Sequence, residues 1–251
     1  MKTKRLLFIL LFLSLFLACQ EEDKKSSSKK KSSDDGEAEE SCVDAKPVIK
    51  NLLIDIDSWD NSDPGTAGDF TFDSSYTYDQ HIYAFGEFIS ESKQLGNIEF
   101  HTRQDAQVRS PVDGYIESIA QNTPATKGYE LFIKTEENSC FTVIIDHVRN
   151  LTVSVGDAIE AGDILGIPGQ FGGSLGQVEL QINDDKREGI WCALALMSEA
   201  DQATWSAKID DFRDDWEGLI NDTDVYDESK DWNGLGLCRD DFIKETDLVN
   251  D

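Results

Sequence analysis

From about Ile98 to Ile182, short runs of alternating apolar residues are broken again and again by turn signals, which restricts the stretch to short strands. Tyr115–Ile119, Leu131–Lys134 and Phe141–Ile145 are such runs. Asp113-Gly114, Gly156-Asp157 and Gly162-Asp163 mark tight turns, and Pro168-Gly169 and Gly172-Gly173 mark a flexible loop. Between Val155 and Gly166 a Gly-Asp pair recurs, each copy followed by an aliphatic residue that turns inward. The expected fold is mainly β, a small barrel or sandwich of short strands.

What flanks this stretch differs from it. Trp205, Ile209, Phe212, Trp216, Leu219 and Ile220 recur at spacings of three and four with aspartates between them, so residues 199–220 are expected to form a helix packed on the β domain. The chain from Glu199 onward carries 17 acids against 5 bases. Beyond Asn221 a loosely ordered tail around Cys238 is expected. On the N-terminal side, Ser58–Asp73 reads as loop. Asp55, Asp57, Asp60 and Asp63 lack the glycine and glutamate positions of an EF-hand, so solvated carboxylates are expected there. Tyr76, Tyr78, Tyr83, Phe85 and Phe88 are expected to supply core.

The N-terminus bears on the compartment. Lys2, Lys4 and Arg5 precede an apolar run, Leu6–Leu17, too short to span a ~30 Å hydrocarbon layer comfortably and fitting the core of a signal peptide. Its end, Leu15-Phe16-Leu17-Ala18-Cys19, resembles the lipobox of bacterial lipoproteins, with Phe16 where a smaller aliphatic residue is usual. That resemblance implies cleavage before Cys19 and a lipid on its thiol. Gln20 to Ser41 holds no large apolar residue and is expected to be a disordered tether. Four cysteines remain, Cys42, Cys140, Cys192 and Cys238. In an exported chain they suggest two disulfides with three possible pairings. Cys42–Cys140 with Cys192–Cys238 is favoured, the first fixing the start of the fold and the second stapling the C-terminal extension to it. No Cys-x-x-Cys pair suggests structural zinc.

Composition narrows the function. With 23 Lys+Arg against 50 Asp+Glu the formal charge is −27, and the chain from Cys42 onward carries all of it as 42 acids against 15 bases. Nucleic acid is excluded as a partner, because that affinity rests on neutralising phosphates. Only three histidines occur, His81, His101 and His147, so no site needing four can be built.

Four blocks occur in order: Ser110-Pro-Val-Asp-Gly-Tyr-Ile116, Val143-Ile-Ile-Asp-His147, Val155-Gly-Asp…Ala161-Gly-Asp-Ile-Leu-Gly166 and Gly176-Gln-Val-Glu-Leu-Gln-Ile182. The series resembles the lysostaphin/LytM-type zinc endopeptidases, which cut peptide cross-links in bacterial cell walls. The resemblance implies a LytM-peptidase-like barrel-sandwich hybrid and a site in which His-x-x-x-Asp gives two zinc ligands. A later His-x-His gives a third ligand and a catalytic histidine, and a lone histidine completes the set. Such a metal keeps an open position for water and carbonyl, while imidazoles trade protons. On this sequence His147 matches the lone histidine, and His101 and Asp105 have the His-x-x-x-Asp spacing. Gln177-Val178-Glu179 replaces His-x-His, so a catalytic histidine has become Gln177 and a zinc ligand Glu179. Asp105 also lies only six residues before Pro111, closer than the family spacing.

The expected layout is a lipoprotein signal at 1–18, a tether at 19–41, a loop-rich start of the fold at 42–97, a peptidase-like β domain at 98–190 and an acidic helical extension at 191–251. The expected function is non-catalytic: a cell-envelope lipoprotein, membrane-anchored through Cys19, that binds peptidoglycan peptide or an envelope protein and needs no cofactor. The alternative is a zinc endopeptidase with His101, Asp105 and Glu179 as ligands and His147 handling the proton.

Overall fold

The two Gly-Asp pairs fold alike. Gly156 and Gly162 take φ of 90° and 97°, a region that side-chain-bearing residues rarely enter. After each, the aspartate carboxylate accepts the amide three residues back, Asp157 from Ser154 and Asp163 from Glu160, both at 2.8 Å. These turns place short strands side by side in the computed structural model, which describes residues 41–77, 81–224 and 236–249.

Two hairpins lie apart from the main sheet: β1 (Gly65–Ala67) with β2 (Phe70–Phe72), and β4 (Phe88–Ser90) with β5 (Lys93–Gln94). The main antiparallel sheet takes β3 (Ile82–Tyr83), β6 (Ile98–Arg103), β7 (Val108–Arg109), β8 (Gly114–Gln121), β9 (Tyr129–Lys134) and β10 (Phe141–Arg149). It continues through β11 (Ala158–Ile159), β12 (Ile164–Gln170), β13 (Leu175–Asp184), β14 (Gly189–Trp191) and β15 (Phe242–Lys244). The chain is thus mainly β, as its alternation predicts, and the sheet branches around β13 without closing on itself. One edge of β13 pairs with β6 and then β14; the other pairs with β12 and then β10. The core comes from inward residues of these strands, among them Ile116, Leu131, Ile133, Val143, Ile145, Val178 and Ile182, all fully buried. Each such side chain contributes about 1.5–3 kcal/mol through removal from water.

The predicted helix is α1 (Glu199–Ile220), capped by Ser198, whose hydroxyl accepts the Asp201 amide, and closed by Asn221 in the left-handed region. Its apolar stripe packs on the β1–β2 hairpin. Phe212 meets Phe70 and Phe72 at ring distances of 4.8 and 4.9 Å, and Trp216 meets Phe72 at 5.2 Å. His81 is buried in the same aromatic cluster, 4.6 Å from Trp216. Of the aromatics expected in the core, Phe85 is buried and Tyr76 and Tyr83 are half-buried, whereas Phe88 is exposed on the β4–β5 hairpin. Tyr78 lies outside the described residues.

Both favoured disulfides are present, Cys42–Cys140 and Cys192–Cys238. The extension after α1 is more tightly tied than its composition suggests. Phe85 and Arg239 exchange backbone hydrogen bonds with Leu237 and Phe85, and β15 adds a strand to β14. Residues 225–235 of the expected loose tail lie outside the described residues, as do the signal, Cys19 and the tether to Glu40. Among the described residues no helix is long and apolar enough to cross a membrane.

Candidate functional site

Strand periodicity builds the site. Glu99 and His101 are two apart on β6, Gln177 and Glu179 two apart on β13, so each pair projects to one face. The register sets Gln177 opposite His101 and Glu179 opposite Glu99. Like charges placed opposite each other repel, and the Gln177 amide relieves this by donating to both. Its Nε2 is 2.6 Å from Glu99 Oε1 and 3.0 Å from Glu179 Oε1. Its Oε1 accepts from the Lys127 ammonium at 2.6 Å. Lys127 comes from a short 3-10 turn between β8 and β9. Gln177 thus holds an acid on each side and a cation above.

His101 closes one end of the row. Its Nε2 is 2.6 Å from Glu99 Oε1, and its ring stacks on Phe171 at 3.9 Å with Tyr83 edge-on at 5.5 Å.

His147 closes the other end. The β10–β9 pairing shifts register between Ile145 and Val148, a bulge that re-aims the side chains within it. His147 sits there with φ of 62°, strained for a residue other than glycine. Gly169 lies against it, where an added Cβ would fall 2.5 Å from the Lys127 carbonyl oxygen and 3.0 Å from His147 Cβ. The imidazole Nε2 is 3.1 Å from Glu179 Oε1. On the other side the Asn122 amide donates to Asp146 Oδ1 at 2.6 Å and lies 3.2 Å from His147 Nδ1. Burial lowers the affinity of His147 for a proton. The hydrogen bond and charge of Glu179, with the charge of Asp146, outweigh this and the repulsion of Lys127, so its pKa is raised above the usual 6.5. Glu130, nearby on β9, is also pushed up, first by burial and then by the charges of Asp146 and Glu179.

The zinc set expected from spacing does not assemble. β6 ends at Arg103, and the chain turns there through the Ala106 amide and the Arg103 carbonyl. This throws Asp105 outward, its side chain 84% exposed and paired with Arg103 at 3.3 Å. His101 is near Glu179 but separated from it by Glu99 and Gln177. Asp146, His147 and Glu179 are the one group of histidine and acidic side chains, among the described residues, whose ligand atoms lie within 4.8 Å of one another. They do not fit a metal as they stand. In the neutral ring Nε2–H donates to Glu179 and Nδ1 accepts from Asn122, so neither nitrogen offers a lone pair. Glu179 already accepts from Gln177 and from Asn97, and Asp146 Oδ1 from Asn122 and the His147 amide. The arrangement can hold a proton at His147. Gln177, in the middle of the row, carries an amide that does not exchange a proton as an imidazole does.

Of the residues singled out in the sequence, His147, Glu179, Gln177 and His101 meet in one row, and Asp105 does not join them. Glu99, Lys127, Asn97, Asn122 and Asp146 belong to the site without having been anticipated.

No protein-family model matches the sequence, and no curated protein matches it. Solved structures similar to it include lysostaphin, at 19% identity and a TM-score of 0.36 over 41% of this chain and 43% of that one. The catalytic domain of the antimicrobial peptidase lysostaphin from Staphylococcus simulans aligns at 19% identity and a TM-score of 0.35, over 41% and 79%. Helicobacter pylori Csd3 aligns at 10% identity and a TM-score of 0.39, over 78% and 45%. The match thus spans under half the length of lysostaphin.

Proposed function

We propose that this protein is a lipoprotein of the bacterial cell envelope whose β domain has a peptidase-like fold and no turnover, and which binds peptidoglycan peptide or an envelope protein. One observation carries the reading. Gln177 ties Glu99, Glu179 and Lys127 into a row that ends in His101 and His147, so Glu179 and the His147 ring are already engaged with partners inside the protein and the middle position holds an amide that does not titrate. The apolar N-terminal run ending at Cys19 supports the anchor. Zinc held by Asp146, His147 and Glu179 would polarise a carbonyl and activate water. It would first require Asn122 and Gln177 to turn their amides away.

The test is digestion of purified muropeptides by the full-length protein, with metal analysis on the same preparation. The expected result is intact cross-links and less than one zinc per chain. Cleavage that disappears in His147→Ala, with stoichiometric zinc, would overturn the proposal.

A further inference from the structure

At the His101 end of the row, one face of the imidazole is covered from a hairpin turn. Phe171 follows the last ladder pair of β12 and β13, Gln170 with Gly176. Its ring lies nearly parallel to His101, 19° apart and 3.9 Å between centroids. His101 is 1% exposed, whereas Phe171 is 39% exposed, so the cover itself stands in water. Lys127 is 5.7 Å from the same ring, but its ammonium is fixed by the bond to Gln177 Oε1, and Phe171 is held at its tip by ring contacts.

The turn that carries the ring is fastened at its base and open at its tip. The Phe171 amide donates to the Leu175 carbonyl at 3.0 Å, and the Leu175 amide to the Gly172 carbonyl at 3.3 Å. A Cβ added to Gly172 or to Gly173 would meet no atom within 4 Å. The Gln104 side-chain amide reaches the Gly173 and Leu175 carbonyls at 3.4 and 3.3 Å, both longer than is usual for such a donor. Stacking of two rings favours the closed arrangement by only roughly two- to tenfold. Two adjacent glycines give the released turn many more conformations than the closed one. An open state populated at roughly 0.1–10% follows from that balance.

We infer that Phe171 is a hinged lid on the row, closed in this structure and opening about Gly172-Gly173 to uncover the His101–Glu99 pair. What it uncovers is an imidazole bonded to a carboxylate at 2.6 Å, a donor and an acceptor side by side. A ligand that uses this end of the row binds only the open form, so its apparent affinity is reduced by the open fraction. The lid thereby sets how tightly the row binds without contributing a contact of its own. This role rests on the row being the binding face, as proposed above. The motion is measured without any ligand, so a row that binds nothing and a ring that does not move give different results.

The experiment treats full-length protein with diethyl pyrocarbonate, which acylates accessible imidazole nitrogens, and follows the initial rate at His101 by peptide mass spectrometry. His147, at the other end of the row, serves as the internal reference. The unaltered protein is expected to react slowly at His101, through the open fraction. Phe171→Ala should raise that rate by roughly tenfold or more, since the imidazole is then uncovered all the time. Gly173 needs glycine at φ of 63°, so the hinge is stiffened at Gly172, whose backbone lies outside the left-handed region. Gly172→Ala should lower the rate about two- to fivefold, because alanine leaves the released turn fewer conformations. Neither variant should change the rate at His147. No reaction at His101 in the unaltered protein would mean a fixed cover and would overturn the proposal. An unchanged rate in Phe171→Ala or in Gly172→Ala, or a rate at His147 that rises together with that at His101, would overturn it too.

Discussion

The imidazole of His147 stands 3.1 Å from the carboxylate of Glu179, Nε2 to Oε1, in a bulge that holds its backbone in the left-handed region. Glu179 and Asp146 favour the charged ring strongly enough to raise its pKa despite burial. The protonated ring is therefore bound more favourably in the folded chain than in the unfolded one. Its contribution is complete below the ordinary histidine value of 6.5 and is lost as pH rises through the raised value. Urea midpoints of the protein and of His147→Gln, compared between pH 5 and 9, should differ most at the acid end and converge toward the alkaline end. A ring-proton titration of His147 should have its midpoint above 6.5.

Gln177→His restores the residue that the family resemblance places there, yet turnover should not follow. Asp105 remains outside with Arg103, and His101 remains on Glu99. Muropeptide digestion by this variant should match that of the unaltered protein. New cleavage would mean that a ligand set other than His101, Asp105 and Glu179 suffices.

Lys127→Met removes the donor to Gln177 and the positive charge that acts on His147. A loss of about 1–3 kcal/mol in folding stability is expected, the cost of stranding a buried acceptor. Urea denaturation measures it, and a change under 0.5 kcal/mol would show that water replaces the ammonium at no cost.

Phe212→Ala should cost about 3–5 kcal/mol, because its buried ring packs edge-on against both Phe70 and Phe72. Thermal or urea unfolding would show it. Asp105→Asn, at an exposed position, should fall within about 0.5 kcal/mol of the original.

Cys192→Ser paired with Cys238→Ser releases the C-terminal segment that carries β15. The closed loop spans 46 residues, and a loss of about 2–4 kcal/mol is expected. The segment from Phe242 to Leu248 should loosen with it, read as faster amide exchange there.

The sheet and the helix were legible because their signals are local. The Gly-Asp turns, the alternation in Phe141–Ile145 and the stripe from Trp205 to Ile220 each depend on neighbours a few residues away, and each element forms where its pattern lies. The site was legible only in part. Glu99 and His101 on one strand, and Gln177 and Glu179 on another, share a period of two, so Glu99 had a signal that motif spacing passed over. Lys127, Asn97 and Asn122 had none, since they arrive from connections whose course no periodicity specifies. Asp105 misled because spacing alone carries no information about where β6 stops.

The pairing of β6 with β13 is made by backbone groups that are indifferent to the side chains at 99, 101, 177 and 179. The four positions form a small frame, each corner held by the ladder and joined to its neighbours by side-chain contacts. A change at one corner therefore alters the row of hydrogen bonds on that face while the β6–β13 ladder beneath it stays paired.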